Sequence, residues 1–141
     1  MSLTLDDRVA IEALCYRYDV AADERDAELY ASLFTEDGCW DGPLGVRAGR
    51  EALLQLVRDL AANPVFDGTR HWPLNIVIAG DSAAGTATVG LDNLLVQATP
   101  DGPRLFSMSR SESTLVRRDG RWLFVRRTVT PLRPAAAAGA S

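Results

Sequence analysis

Lysine is absent from this 141-residue chain, and histidine occurs once, at position 71. Without lysine there is no Schiff-base amine and no phosphate-loop lysine. One histidine and two distant cysteines, Cys15 and Cys39, supply neither a zinc-ligand set nor a disulfide framework. Both thiols are expected to be reduced and packed as small hydrophobes. A basic excess is also missing: 15 arginines face 19 acidic residues, for a net charge of −4. Nothing in that balance favours a nucleic-acid partner. No apolar run approaches the ~18 residues of a membrane span, so no membrane partner is expected. The opening segment carries Asp6 and Asp7 and no apolar stretch, unlike a secretory signal, and a cytoplasmic location is the expectation. Gly42-Pro43-Leu44-Gly45 lacks the strand before it and the Lys or Ser after it that a phosphate loop needs. No G-x-S-x-G elbow is present. No metal and no cofactor is implied.

What is there is an apolar fraction of 47%, enough for a full core in a chain of this length. Ile11, Leu14 and Tyr18 recur at spacings of three and four, which predicts a first helix over Leu5–Ala22, capped by Thr4 or Asp6. Asp23-Glu24-Arg25-Asp26 is a polar break. A short helix follows over Ala27–Phe34, then a turn at Thr35-Glu36-Asp37-Gly38 and a short strand from Cys39 and Trp40. Leu53, Leu56, Val57 and Leu60 stripe a third helix over Arg50–Ala62, ended by Asn63-Pro64. From residue 69 the period changes to two. Four strands are expected, at Thr69–Ala79, Ala84–Gln97, Arg104–Arg118 and Arg121–Thr130, with hairpin turns at Gly80-Asp81 and Asp119-Gly120. Helices followed by an antiparallel meander make an α+β fold. Residues 1–130 read as the domain, and Pro131–Ser141, rich in Pro and Ala, as a frayed tail.

His71 is the one side chain whose ordinary pKa lies near neutrality. Alternation places His71, Asn75 and Val77 on one strand face, and Arg70, Trp72, Leu74, Ile76 and Ile78 on the other, the bulkier apolar one. A histidine base needs a carboxylate to fix its tautomer and steady the imidazolium. Asp23, at the end of the first helix, is a candidate. Ser107, Ser109, Ser111 and Ser113 share one face of the penultimate strand, either lining a polar ligand or facing solvent. On the last strand Arg127 lies between Val125 and Val129. If buried there it needs an anionic ligand or a carboxylate such as Glu112. A base and hydrogen-bond donors without metal or cofactor suit proton abstraction beside a carbonyl, dehydration, isomerisation or aldol closure.

The segments Tyr16–Asp26, Leu33–Gly38 and Gly49–Ala52, with Arg117–Arg127 at the end, together resemble the SnoaL-like branch of the nuclear-transport-factor-2-like superfamily. The resemblance covers residues 6–130. It implies a cone: a curved antiparallel sheet wrapped around three N-terminal helices, with an internal pocket. Ala22-Asp23 and Thr69-Arg70-His71 are similar to the scytalone dehydratase and lindane dehydrochlorinase subset, which implies an Asp23–His71 base dyad. Asn75 and Arg127 also match the dehydrochlorinase pattern. The chain departs from the dehydratase in having no second histidine, and in Ala22 where that enzyme has a tyrosine, with Trp40 near the place of another. Tyr18 matches the oxyanion tyrosine of ketosteroid isomerase, and Asp41 lies one position from that enzyme's base.

The leading expectation is therefore a cofactor-independent lyase of dehydratase type, acting on a small, apolar, oxygenated ring compound. His71 removes the proton and Asp23 orients it. Arg127 or Tyr18 steadies the negative charge, while Trp40 and Trp72 line the pocket. An isomerase or polyketide cyclase using Tyr18 and Asp41 is the second reading, and a non-catalytic ligand-binding or assembly module the third. The outer sheet face suits a homo-oligomer, a dimer or trimer.

Overall fold

The computed structural model describes residues 2–134. Helix α1 runs over Leu5–Asp23, opened by Thr4, whose side chain accepts from the Asp7 amide. Asp6 and Asp7 lie in its first turn, against the positive end of the helix dipole. Arg25 takes a positive φ of 57° and reverses the chain. Asp26 then caps α2, Ala27–Ser32, by accepting from the Leu29 amide. Strands β1 (Phe34–Gly42) and β2 (Gly45–Ala48) form a hairpin. Helix α3 spans Arg50–Ala62 and buries Leu53, Leu54, Leu56 and Val57. A single 3-10 turn at Pro64–Phe66 leads into β3 (Thr69–Asp81), β4 (Thr86–Thr99), β5 (Gly102–Arg118) and β6 (Arg121–Pro131).

The six strands form one curved, unclosed sheet in the order β2-β1-β6-β5-β4-β3. Its pairings are antiparallel except that β1 joins β6 in parallel. The helices fill the concave side. Ile11, Leu14 and Tyr18 of α1 and the α3 stripe meet Val89, Leu91, Leu115 and Phe124 of the sheet in one buried cluster. Tyr18, Tyr30, Phe34 and Phe124 stack at its centre, with ring centroids 4.9 to 6.3 Å apart. The α+β cone is thus the observed architecture.

Four expectations are corrected by pairing. Helix α2 stops at Ser32, and Phe34 opens β1 because it pairs with Phe124. Thr35–Gly38 is not a free turn. It is a bulge within β1, where the register jumps from Phe34 opposite Phe124 to Cys39 opposite Arg126. The β3–β4 turn falls after Asp81, which still pairs with Thr86. Of the expected tail, Pro131 belongs to β6 and the Leu132 amide bonds the Met108 carbonyl. The rest of that expectation, from residue 135, lies outside the described residues.

Candidate active site

The last turn of α1 and the start of β3 meet at Asp23 and His71. The Asp23 carboxylate accepts from the His71 backbone amide at 3.0 and 3.1 Å, and its Oδ1 lies 2.7 Å from His71 Nδ1. The two amide contacts hold the carboxylate in place before the ring is considered. Both side chains are largely buried, at 8% and 22% exposure for Asp23 and His71. With Nδ1 committed to the carboxylate, Nε2 is the ring nitrogen left for a ligand.

His71 lines a cavity of about 370 Å³ between helices and sheet, within the usual size of a small-molecule site. Its wall is mostly apolar and aromatic: Tyr18, Tyr30, Trp40, Phe66 and Phe106, with Leu56, Leu60 and Leu95. The Tyr18 hydroxyl accepts from Tyr30 Oη at 2.8 Å and from Trp40 Nε1 at 3.0 Å. Its own proton is left free to donate. Burial raises the Tyr18 and Tyr30 phenols above their ordinary pKa, so Tyr18 is a neutral donor. A different hollow of about 390 Å³ lies over Ala79, Gly80, Thr86–Thr88 and Thr114–Val116, but no ionisable group lines it.

The structure brings together Asp23, His71, Tyr18 and Trp40. Four other expected residues are placed elsewhere. Asn75 sits at a bulge, with φ 53° and a register shift between Leu74 and Val77. The extra residue reverses the alternation, so Ile76 and Ile78 turn to the core while Asn75 donates to Asp92 outside the cavity. Trp72 precedes that bulge on the face opposite His71 and is 54% exposed; it does not line the pocket. Asp41 follows Trp40 on β1 and so points the other way, where it pairs with Arg126 at 2.7 Å. Arg127 is inside but lies behind the wall. It is fully buried, with its guanidinium stacked 3.9 Å from the centre of the Tyr18 ring. Its carboxylate is not Glu112, which pairs with Arg110.

Two residues at or beside the site, Arg25 and Asp19, escaped the sequence reading. Arg25 lines the cavity and ties it together, donating to the carbonyls of Ala22 and Phe66 and to Thr69 Oγ1. In the sequence it is one of four charged residues in a loop. Of the serine row that the sequence offered as ligand-lining or solvent-facing, Ser107 lines the cavity while remaining exposed, and Ser111 and Ser113 are buried. Asp19 is 4% exposed, and burial lifts its pKa from 3.8 to about 6, against the pull of Arg127. It lies one turn before Asp23, a spacing the sequence displays without showing that both turn inward. Among the described residues no group of three or more His, Cys, Asp or Glu is placed to hold a metal. No helix there is long and apolar enough to cross a membrane.

A SnoaL-like domain profile matches residues 3–128. Among solved structures, Rv3472, a protein of unknown function from Mycobacterium tuberculosis, superposes with a TM-score of 0.84 at 25% identity, covering 96% of this chain and 77% of that one. An NTF2-like protein with a cystatin-like fold from Novosphingobium aromaticivorans gives 0.81 at 28% identity, over 95% and 87%. ActVI-ORFA from Streptomyces coelicolor gives 0.75 at 24% identity, over 88% and 96%. Among curated proteins none matches.

Proposed function

The chain belongs to the SnoaL-like domain family, and from that premise we propose that it is a cofactor-independent lyase on a small, apolar, oxygenated ring compound. The observation that carries this reading is the 2.7 Å contact of Asp23 with His71 Nδ1 at the edge of an aromatic cavity. His71 Nε2 takes a proton from the carbon beside a substrate carbonyl. Tyr18 donates to the enolate oxygen, its hydroxyl already oriented by Tyr30 and Trp40. The electron pair then forms the carbon–carbon double bond. The imidazolium returns the proton to the departing hydroxyl, which leaves as water. Asp23 stabilises the imidazolium between the two transfers.

An isomerase or cyclase reading survives in altered form. It draws on the free proton of Tyr18 with His71 as the base, since Asp41 lies outside the cavity. Product mass separates the two: loss of water marks the lyase, and unchanged mass the isomerase. His71→Ala is expected to lower turnover at least about 100-fold, the scale of a general base. Unchanged turnover removes His71 from the mechanism, and binding without turnover leaves a ligand-binding module. Self-association through the outer face of the sheet is also part of this reading, supported by exposed Trp72, Leu74 and Val77 on β3. Sedimentation at several concentrations tests it.

A further inference from the structure

Arg25 stands on the cavity wall without an acidic partner. The residue takes φ 57°, a left-handed backbone that is uncommon outside glycine and persists where its surroundings hold it. Its guanidinium does that holding. Nη1 donates to the Ala22 carbonyl at 2.8 Å, and Nη2 to the Phe66 carbonyl at 2.8 Å and to Thr69 Oγ1 at 3.2 Å. All of these acceptors are neutral. A guanidinium carries five N–H groups, so the Nε proton and one Nη1 proton are uncommitted among the described residues. The acidic residues around it are engaged elsewhere: Asp23 by His71, Glu24 by Arg70, and Asp26 by the Leu29 amide. Asp67 shares an outer hollow with Arg25 and Asp23, but among the described residues it forms no ion pair with the arginine.

The wall itself carries no Asp or Glu among the described residues, and Arg25 is its one permanently charged side chain. That is a cationic wall in a chain whose net charge is −4. Thr69, which Arg25 touches, and His71 alternate along β3 and share a face. Two residues along a strand span roughly 7 Å, so the anchor of the cation and the base stand about one ring's width apart on the same wall. An apolar cavity screens charge poorly, and an arginine–carboxylate hydrogen bond is stronger than a neutral one. We propose that Arg25 anchors a carboxylate of the ligand, so that the cavity selects ring compounds bearing an acid group one ring away from the carbon that His71 deprotonates. The inference rests on this cavity being the ligand site and, for that spacing, on His71 being the base.

Binding tests this without turnover. Naphthoate and naphthamide, with the acid or the amide on the same ring carbon, are titrated into the full-length chain at neutral pH and followed by calorimetry. Wild type is expected to bind the acid about 10-fold more tightly than the amide, the scale of a charge-assisted hydrogen bond over a neutral one. Arg25→Gln abolishes that preference and leaves the affinity for the amide within about twofold, since the amide never drew on the charge. His71→Gln keeps the preference, which separates Arg25 from a protonated imidazole as its source. In wild type the Arg25 Nε–H resonance moves on addition of naphthoate and stays in place with naphthamide, a readout that needs no variant to fold. Equal affinities in wild type, a preference that survives Arg25→Gln or disappears in His71→Gln, an unmoved Nε–H resonance, or no saturable binding of naphthoate at millimolar concentration each overturns the assignment. Product analysis is separate: a chain that binds the acid through Arg25 yet eliminates no water refutes the lyase and leaves this anchor standing.

Discussion

Replacing Asp23 by Asn isolates the charge of the carboxylate from its shape. Asn keeps one carbonyl oxygen, able to accept from the His71 backbone amide as Asp23 does at 3.0 Å. It brings no charge to the ring nitrogen that Asp23 meets at 2.7 Å. A hydrogen bond to a charged group contributes about 1.5–3 kcal/mol. That stabilisation matters only when the imidazolium has formed, so its loss falls on the transition state, as roughly a 10- to 150-fold drop in kcat/KM. His71→Ala costs at least about 100-fold. If Asp23 acts only through His71, the double variant is no more than about threefold slower than His71→Ala, because the residues work as a unit. The assay is kcat/KM for wild type, both single variants and the double variant, on one substrate found by screening carbonyl-bearing cyclic alcohols. Thermal unfolding of each confirms that the fold persists. If the single losses multiply in the double variant, to about 1,000-fold or more, Asp23 acts independently of His71 and the dyad is refuted.

Other outcomes follow from burial and charge. Tyr18→Phe leaves Tyr30 Oη and Trp40 Nε1 without their acceptor, at a cost of about 1–3 kcal/mol per buried group left unpaired; urea unfolding reads it, and turnover falls with it. Leu53 of α3 is fully buried, so Leu53→Ala lowers stability by about 2–5 kcal/mol, seen as a lower denaturant midpoint at unchanged slope. Asp7 accepts from Ser82, Trp122 and Arg117, which together hold its pKa at about 2 instead of 3.8. A depressed pKa contributes stability above the ordinary value and loses it as pH falls from about 4 to 2. Asp7→Asn is therefore less stable at neutral pH and has a flatter unfolding midpoint across that window. Burial raises the Cys15 thiol to about 11 while Cys39 is only half-buried. A thiol reagent at pH 8 should label Cys39 in the native protein and reach Cys15 only after denaturation.

The elements that were legible were those whose signal is local. Helix α3 begins at Arg50 and ends at Ala62 as its stripe and Asn63-Pro64 indicate, and α1 differs from expectation by one residue. Asp119-Gly120 turns the last hairpin as read. What failed depended on pairing partners. The bulge at Asn75 shifts the strand's parity, turning Asn75 away from the cavity although simple alternation placed it beside His71. The Thr35–Gly38 segment has turn residues, yet it is held within β1 by a parallel partner 90 residues away in the chain. Asp41 failed for a related reason: with Trp40 turned inward onto Tyr18, its neighbour on the strand must face out.

Composition and local pattern determined the fold class. They left one histidine as a candidate base, no lysine, and a run of helices followed by a run of strands that reads as α+β. They could also name Asp23, because a carboxylate at a helix end is visible in the order of residues. Only the tertiary structure decided which polar groups share a wall. The sheet's curvature and its bulges set which side of each strand looks inward, and that depends on residues 48 to 110 positions apart, such as Asp23 with His71 or Asp7 with Arg117. The burial of Asp19, Arg127 and Tyr18 comes from the packing of helices into the cone. No single stretch of chain contains it.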